Sequence, residues 1–286
     1  MRRQSSYPPF LIALILTTLC ALTTPAQEAK IANFPDKKLE TAIRYAIYKL
    51  EGDILQTDLV GTGFTRLEVK KAGIVDLTGL EYCTDLTSLD LGWNQIHDVS
   101  ALASLTNLKE LCLHYNSISD ISPLGGLGNL GQLSIGGNPI RDLSALGGLR
   151  KLANLQINST QITDLNPLAG LTDLWSLNLN RNSISDVNAI AGLNNLRCLY
   201  IEKNQISDVS ALGGLPNLTL LRLDEDEISG LGSRLALARI KCRLAWRALG
   251  PTKQALLVAG VTLFVAVIVA LCRWSRRASK RYTKEP

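Results

Sequence analysis

The sequence predicts an α/β solenoid with a parallel β-sheet on its concave side, mostly 3₁₀ turns on its convex side, a helical N-terminal cap and one C-terminal transmembrane helix. Three observations predict this architecture. A 22-residue pattern occurs eight times without insertion over residues 64–230. An amphipathic helical pattern precedes these copies, and an 18-residue run without charge follows them. One coil of this length cannot bury its apolar face alone, so neighbouring coils must stack.

Each copy carries the same residue types at fixed positions. The copies begin at Phe64, Leu86, Leu108, Leu130, Leu152, Leu174, Leu196 and Leu218. Positions 4 and 6 are apolar, position 9 is usually Asn, and position 11 is always Ile, from Ile74 to Ile228. Leu at positions 1, 4 and 6 with Asn at 9 resembles the leucine-rich repeats, which implies a horseshoe-shaped solenoid. Positions 3 to 6 should form the strand, with side chains 4 and 6 in the core.

Polar residues at three further positions predict how the turns are held. The Asn amide of position 9 can bond to unpaired backbone groups, so Thr160, an internal exception, predicts a less well tied turn. Ser or Asn at position 15, as in Ser122, is expected to cap a short 3₁₀ turn. Position 13 is Asp in seven copies, from Asp76 to Asp208. Each carboxylate either accepts N–H bonds at its turn or, as a column, binds calcium.

Residues 27–63 are predicted to cap the first coil. Asp36 is the expected N-cap of a helix. The apolar residues after it recur at the spacing of one helix face, and they are Leu39, Ala42, Ile43, Ala46, Ile47 and Leu50. This face should cover the apolar end of the first coil.

The first 26 residues are predicted to be a secretory signal peptide. Arg2 and Arg3 precede an apolar run, Phe10–Leu22, and a small-residue site follows, with cleavage after Ala26. A lipoprotein signal with Cys20 as the lipidated residue is the alternative, although Leu19 before it is larger than such a site prefers.

Residues 255–272 carry no charge and predict a transmembrane helix. A buried core helix is the alternative, but the segment lies beyond the repeats and has no polar face. The tail, residues 273–286, has six basic residues and one acid, while residues 233–254 have six and none. Both flanks of the uncharged run are basic, so charge alone does not fix its orientation. The signal peptide does, because it exports the repeats before the anchor emerges. The chain is therefore expected to be a single-pass cell-membrane protein with extracytoplasmic repeats and a cytoplasmic C-terminus.

Residues 231–254 predict a basic amphipathic helix. Its apolar stripe consists of Leu231, Leu235, Ala238, Cys242, Trp246 and Leu249, and basic residues surround it. Two interpretations stay open. The helix caps the last coil, or it rests on anionic lipid headgroups just before the anchor. One helix could do both.

Charge and cysteine usage exclude several classes of protein. Residues 27–232 contain 16 Lys and Arg against 24 Asp and Glu, a net charge of −8, which argues against nucleic acid as partner. Cys112 and Cys198 lie four coils apart, about 19 Å at strand spacing, so no disulfide framework is expected. The two histidines, His97 and His114, occupy different repeat positions. Without metal-ligand spacing, phosphate loop or nucleophile motif, neither enzyme activity nor a cofactor is predicted.

The front of the chain resembles the internalin-like bacterial leucine-rich-repeat proteins. The residues that carry the resemblance are Phe34-Pro35-Asp36, Leu39-Glu40, Ala42-Ile43-Arg44, Gly52-Asp53-Ile54, Asp58-Leu59 and the run from Leu77 to Leu91. The repeat subclass, with Ile at 11 and Asp at 13, is also similar to phosphatase-regulatory leucine-rich-repeat subunits. The resemblance covers about residues 31–230 and implies a binding fold. Internalins proper add an immunoglobulin-like domain after the repeats, whereas a cap and an anchor are predicted here.

The concave face is the predicted site for a protein partner, because repeat positions 3, 5, 7 and 8 point out of the sheet. Trp93 and Tyr115 share position 8 in adjacent coils, and exposed aromatic residues anchor many interfaces. The bland alternative is a scatter of surface aromatics. The predicted partner-binding residues are Asp90, Trp93, Glu110, His114 and Tyr115, with a second patch at Arg181, Tyr200 and Lys203.

The function expected from these features is partner binding by a membrane-anchored extracytoplasmic repeat protein. Two alternatives stay open. The repeats could associate with copies of themselves in an envelope-organising protein, or the chain could be the regulatory subunit of a membrane enzyme.

Overall fold

The computed structural model of this chain describes residues 30–224, 228–249, 251, 253 and 254. The predicted signal peptide (1–26), transmembrane helix (255–272) and tail (273–286) lie outside these residues. Within the described ranges, no helix combines the length and the apolar character needed to cross a membrane. The chain forms two compact units, Met1–Leu152 and Ala153–Pro286.

The described part of the first unit, residues 30–152, holds a helix and four strands. Helix α1 spans Lys37–Ala46, and the strands are β1 (Arg66–Glu68), β2 (Ser88–Asp90), β3 (Glu110–Cys112) and β4 (Gln132–Ser134). Successive strands pair in parallel and in register, one repeat apart, so that Leu67, Leu89, Leu111 and Leu133 form one row. Between them run 3₁₀ turns at Gln56–Asp58, Leu80–Tyr82, Ser100–Leu102, Ser122–Gly126 and Ser144–Gly148.

The described part of the second unit repeats this plan, and a helix follows its strands. Its strands are β5 (Asn154–Gln156), β6 (Ser176–Asn178), β7 (Cys198–Tyr200) and β8 (Leu220–Arg222), which pair in parallel in that order. The 3₁₀ turns lie at Asn166–Leu168, Asn188–Ile190 and Ser210–Gly214. Helix α2 spans Leu231–Ala248 and packs against the last of these turns.

The repeat register read from the sequence is confirmed, as is the 3₁₀ character of the outer turns. Every Ile of position 11 is buried, from Ile74 to Ile228, and the central Leu of each strand from β1 to β7 is buried as well. Removing such side chains from water is worth about 1.5–3 kcal/mol each. The core therefore runs as rows of identical positions through stacked coils, which is a leucine-rich-repeat solenoid.

The Asn of position 9 bonds to backbone groups, as predicted, and it also ties neighbouring coils together. The Asn116 amide nitrogen donates to Leu113 O in its own coil at 2.9 Å and to Leu91 O in the coil before at 3.1 Å, while its oxygen accepts from Ile96 N. At Thr160 a hydroxyl replaces the amide, so this position has fewer groups that can form hydrogen bonds. It contacts Ile157 O at 3.2 Å and the Asn182 amide oxygen at 2.5 Å.

The outer turns are capped by Asp rather than by the predicted Ser or Asn. The Asp120 carboxylate accepts from Ser122 N at 2.8 Å, and the other six Asp of position 13 accept from the same position of their own coils. Ser122 is the first residue of the 3₁₀ turn, whereas a capping residue precedes the first one. The Ser122 hydroxyl therefore does not cap the turn. The column of carboxylates thus serves the turns, and the described residues contain no cluster of three metal-ligating side chains.

The front cap is present, and one carboxylate joins it to the first coil. Asp36 caps α1 by accepting from Lys38 N and Leu39 N, and it also accepts from Val75 N in the first coil at 2.9 Å. Leu39 and Ile43 are fully buried. The inclusion of Leu50 in the apolar stripe was wrong, because α1 ends at Ala46 and Leu50 is exposed.

The stripe predicted for the rear helix was also wrong as a packing surface. Helix α2 buries Ser233, Leu237 and Ile240, whereas Leu235 is 51% exposed. Ala238, Cys242 and Leu249 are exposed too, and Trp246 is half-buried. The side chain of Leu231 lies outside the described part. The helix therefore caps the last coil with the face opposite to the predicted one.

Candidate functional site

A left-handed backbone recurs at position 8 of the repeats, on the open side of the sheet. This open side, formed by positions 3, 5, 7 and 8, is called the sheet face below. The left-handed residues are Lys71, Trp93, Tyr115, Gly137, Ser159, Arg181 and Lys203, with φ between 53° and 71°. Such a conformation is easy for Gly and unusual for bulky side chains. The coil imposes it here, because each described occupant of the position, from Lys71 to Lys203, adopts it.

Four of these residues contact one another in succession in the first unit: Lys71, Trp93, Tyr115 and Gly137. We call this row of residues the aromatic column. The Trp93 and Tyr115 rings stack with centroids 4.0 Å apart and planes 21° from parallel. The Lys71 ammonium lies 5.4 Å from the Trp93 ring centroid, within the range of a cation–π contact. A β-carbon added at Gly137 would lie 2.5 Å from the Tyr115 ring, so this ring covers the bare glycine.

Backbone bonds hold the column at strand spacing. Trp93 N donates to His114 O at 2.9 Å, and Tyr115 N donates to Gly136 O at 2.8 Å. Each ring is thereby fixed one coil from the next, which is the distance at which rings stack. The expectation that Trp93 and Tyr115 lie side by side is confirmed. They remain 46% and 42% exposed, so the stack presents apolar surface to solvent.

His114 joins the column from the side and links it to a polar group. Its ring meets Trp93 and Tyr115 edge-on, with centroids 6.0 and 5.7 Å away. On its other side, Cys112 Sγ lies 2.7 Å from His114 Nδ1, and the thiol also bonds to the Asp90 carboxylate. Asp90 in turn forms an ion pair with Lys70 at 2.9 Å. Asp90, His114 and both aromatic residues thus belong to one connected surface.

The protonation states of this group favour binding over nucleophilic chemistry. Burial raises the pKa of the Cys112 thiol to about 11. Burial lowers the pKa of His114, and the Lys70 charge lowers it further against the opposing effect of Asp90. A thiolate–imidazolium pair would need the reverse shifts. At neutral pH both groups are uncharged, and the tautomer of the imidazole decides whether Cys112 Sγ or His114 Nδ1 donates in their contact.

Glu110 and the second patch stand apart from the aromatic column. The Glu110 carboxylate accepts from the Ser88 hydroxyl at 3.0 Å and lies 3.5 Å from the Gln132 amide nitrogen. In the second unit, Arg181 and Lys203 follow each other at position 8, and Tyr200 lies in β7 between Asn178 and Arg222. Among the described residues no ring contact involves Tyr200, so this patch is cationic rather than aromatic.

An exposed tryptophan of the repeats was missing from the predicted site. Trp175 is 45% exposed at the start of its repeat, beside a shallow hollow of about 510 Å³ lined also by Asp173, Asn195, Arg197 and Asn217. A signal was present in the sequence, because position 2 carries Thr, Lys, Gly, Ala or Arg in the other copies. A Trp at a position that is otherwise small or charged marks exposed apolar surface.

Comparisons with known proteins support the leucine-rich-repeat fold. Family models of leucine-rich repeats match residues 82–103 and 106–148. The chain is 35% identical to internalin C2 of Listeria monocytogenes, over 70% of this chain and 88% of that one, with a TM-score of 0.66. It is 30% identical to the internalin InlF of the same organism, over 76% and 77% of the two chains, with a TM-score of 0.50. No curated protein matches the sequence.

Proposed function

Since this chain belongs to the internalin-like bacterial leucine-rich-repeat proteins, we propose that it is a non-enzymatic binding module whose aromatic column holds a protein partner. The single observation that carries the proposal is the exposed Trp93–Tyr115 stack. Two stacked rings form one broad apolar anchor at low entropic cost, because neighbouring coils already fix both of them. Rings that point to solvent do not stabilise the interior of the coil.

The groups around the stack suit a protein rather than a small molecule. The sheet face offers apolar rings in the centre with Lys71, His114 and Asp90 beside them, which is the pattern of an interface with an apolar centre and a polar rim. The neutral His114 can donate or accept a hydrogen bond without the desolvation penalty of a buried charge.

Photo-crosslinking from the sheet face tests this proposal. A photoreactive phenylalanine analogue in place of Tyr115, in the full chain and its native membrane, should capture the partner, and the same analogue at Gln156 should not. Trp93→Ala and Tyr115→Ala should then each weaken binding of that partner by about 1–3 kcal/mol. Gln156→Ala is the matched control, because it lies exposed on the sheet face outside both patches. Unchanged affinity in the double aromatic variant refutes the site.

The proposal includes export and anchoring. The signal-like residues 1–26 and the uncharged run 255–272 support a single-pass protein with its repeats outside the cytoplasm. Protease added to intact cells or spheroplasts should digest the repeats and spare a tag placed after Pro286. Loss of the tag with survival of the repeats would show the opposite topology. This result would leave the proposed partner site untested.

A further inference from the structure

Helix α2 has two apolar faces, and the last coil uses one of them. Leu237 and Ile240 are buried against the 3₁₀ turn Ser210–Gly214. On the same side, Arg243 donates to Gly213 O at 3.3 Å and Arg247 donates to Pro216 O at 2.5 Å. The basic residues nearest the coil are therefore engaged by carbonyl oxygens of its exposed end.

The opposite face is apolar and open. It carries Leu235, Ala238, Cys242, Trp246 and Leu249, spaced at three or four residues, which we call the outward stripe. With 3.6 residues per turn, Cys242 and Leu249 lie about half a turn around the axis from Ile240. A helix that only capped the coil would carry polar side chains here.

Basic residues border the outward stripe on both sides. Arg234 and Lys241 flank one edge and Arg239 flanks the other, by helical geometry. The sequence contains no acid between residues 228 and 284. Two copies of this helix packed stripe to stripe would bring Arg234 and Arg239 of both copies together, and α2 itself contributes no carboxylate to compensate them, so a second copy is a poor occupant. An anionic surface satisfies the flanks and the stripe together.

We propose that the outward stripe of α2 rests in the headgroup region of an anionic lipid bilayer, so that α2 links the solenoid to the membrane surface. The inference rests on the proposed anchor. The uncharged run begins six residues after Leu249, and six extended residues reach at most about 21 Å. Leu235 and Leu249 then enter the acyl boundary, Trp246 lies at the headgroup level, and the basic flanks meet phosphate groups.

A fluorophore on Cys242 tests the inference in the full chain. The protein carries an environment-sensitive label on Cys242, with Cys20, Cys112, Cys198 and Cys272 replaced by Ala and the buried Cys83 retained. It is reconstituted into vesicles of phosphatidylcholine with or without phosphatidylglycerol. We expect blue-shifted emission and quenching by lipid-borne nitroxide in the anionic vesicles, and a smaller shift in the neutral ones. With Cys242 also replaced by Ala, the same label on Thr172→Cys, an exposed position of the second unit, should report water in both.

Charge reversal supplies the matched variants. The triple change Arg234→Glu, Arg239→Glu and Lys241→Glu should abolish the difference between anionic and neutral vesicles. The triple change Lys109→Glu, Arg150→Glu and Lys151→Glu, which alters the net charge equally at exposed sites of the first unit, should preserve it. Circular dichroism of each variant confirms that it is folded.

Two results would overturn the inference. One is water-like emission from Cys242 in anionic vesicles. The other is a blue shift that depends on protein concentration in detergent without lipid, which would make the stripe an interface between copies. The anchor has a separate readout, since an alkaline wash should leave the chain in the vesicles. Extraction by that wash refutes the anchor, while the emission of Cys242 still reports on the stripe.

Discussion

Asp36 should be the main polar link between the front cap and the repeats. One carboxylate oxygen accepts from Lys38 N at 2.9 Å and Leu39 N at 3.2 Å, and the other accepts from Val75 N at 2.9 Å. Removal of an N-cap side chain costs about 1 kcal/mol, and loss of a further hydrogen bond costs about 1 kcal/mol. Asp36→Ala should therefore lower the free energy of unfolding by about 2 kcal/mol.

Asp36→Asn separates the two roles of this carboxylate. Asn caps helices as well as Asp does, but its amide nitrogen would face Val75 N, donor against donor. The Asn variant should thus lose about 1 kcal/mol, half of the Ala effect. Thermal unfolding measures the order of stability of the wild type and the two variants. Hydrogen exchange at the Val75 and Leu39 amides shows which of the two contacts is lost. Wild-type stability in the Asn variant would show that the bond to the first coil contributes nothing, and equal losses in both variants would show that the cap contributes nothing.

The pH dependence of stability provides a second check on Asp36. Burial alone would raise the pKa of Asp36, but backbone N–H donors, among them those of Val75, Leu39 and Lys38, outweigh it and lower the pKa below 3.8. The ionised form is the one that the folded state favours. Its contribution is present above pH 3.8 and is lost as the pH falls through the folded pKa. The stability difference between wild type and Asp36→Asn should shrink over that acid range.

Three further changes test other parts of the fold by thermal unfolding. Leu133→Ala should cost about 2–5 kcal/mol, because Leu133 is buried in the strand row of the first unit; an unchanged melt would show the repeat register to be wrong. Gly79→Ala should destabilise, since Gly79 has φ 101° and an added β-carbon would lie 2.5 Å from the Phe34 ring. Ser233→Ala should loosen α2, because it removes the 2.7 Å bond to Asp208, whose pKa the hydroxyl and N–H of Ser210 and the Ser233 hydroxyl lower to about 2.

The coils were predictable because the period enforces them. Leu89, Leu111 and Leu133 recur at one spacing, and only a stack of coils buries all three together. The outer turns were partly misassigned for a local reason. Asp120 and Ser122 are both good caps in isolation, and only the backbone shows that the turn begins at Ser122.

The face of α2 could not be chosen from periodicity. The row Leu237, Ile240 and Leu244 and the row Leu235, Cys242 and Leu249 both have helical spacing, so the pattern supports either face. Packing decides, because Ser233 on the first row donates to Asp208 of the seventh copy. The row that does not pack on the coil, Leu235, Cys242 and Leu249, belongs to the outward stripe that we propose contacts the membrane.

The left-handed backbone of position 8 was equally hidden, because Gly137 is the one described glycine among its occupants. It yields a prediction that separates function from stability. Tyr115 holds φ 53° under a bulky ring, a conformation that costs about 1–2 kcal/mol for a residue with a β-carbon. Tyr115→Gly should recover part of this strain while losing a stacking contact worth about 0.5–1.5 kcal/mol. Its melting temperature should thus stay near that of the wild type.

Tyr115→Ala loses the same stack but keeps the strain, so it should unfold more easily than Tyr115→Gly, by about 0.5–1 kcal/mol. Both variants should lose partner binding equally, because neither keeps the ring beside Trp93. Thermal melts and affinity for the crosslinked partner measure the two effects on the same proteins. An aromatic residue that can be exchanged for Gly without loss of stability, but not without loss of binding, is held at this position for its contact with the partner. If both variants instead unfold far more easily than the wild type while partner binding is unchanged, the ring serves the fold, and the aromatic column is not a binding device.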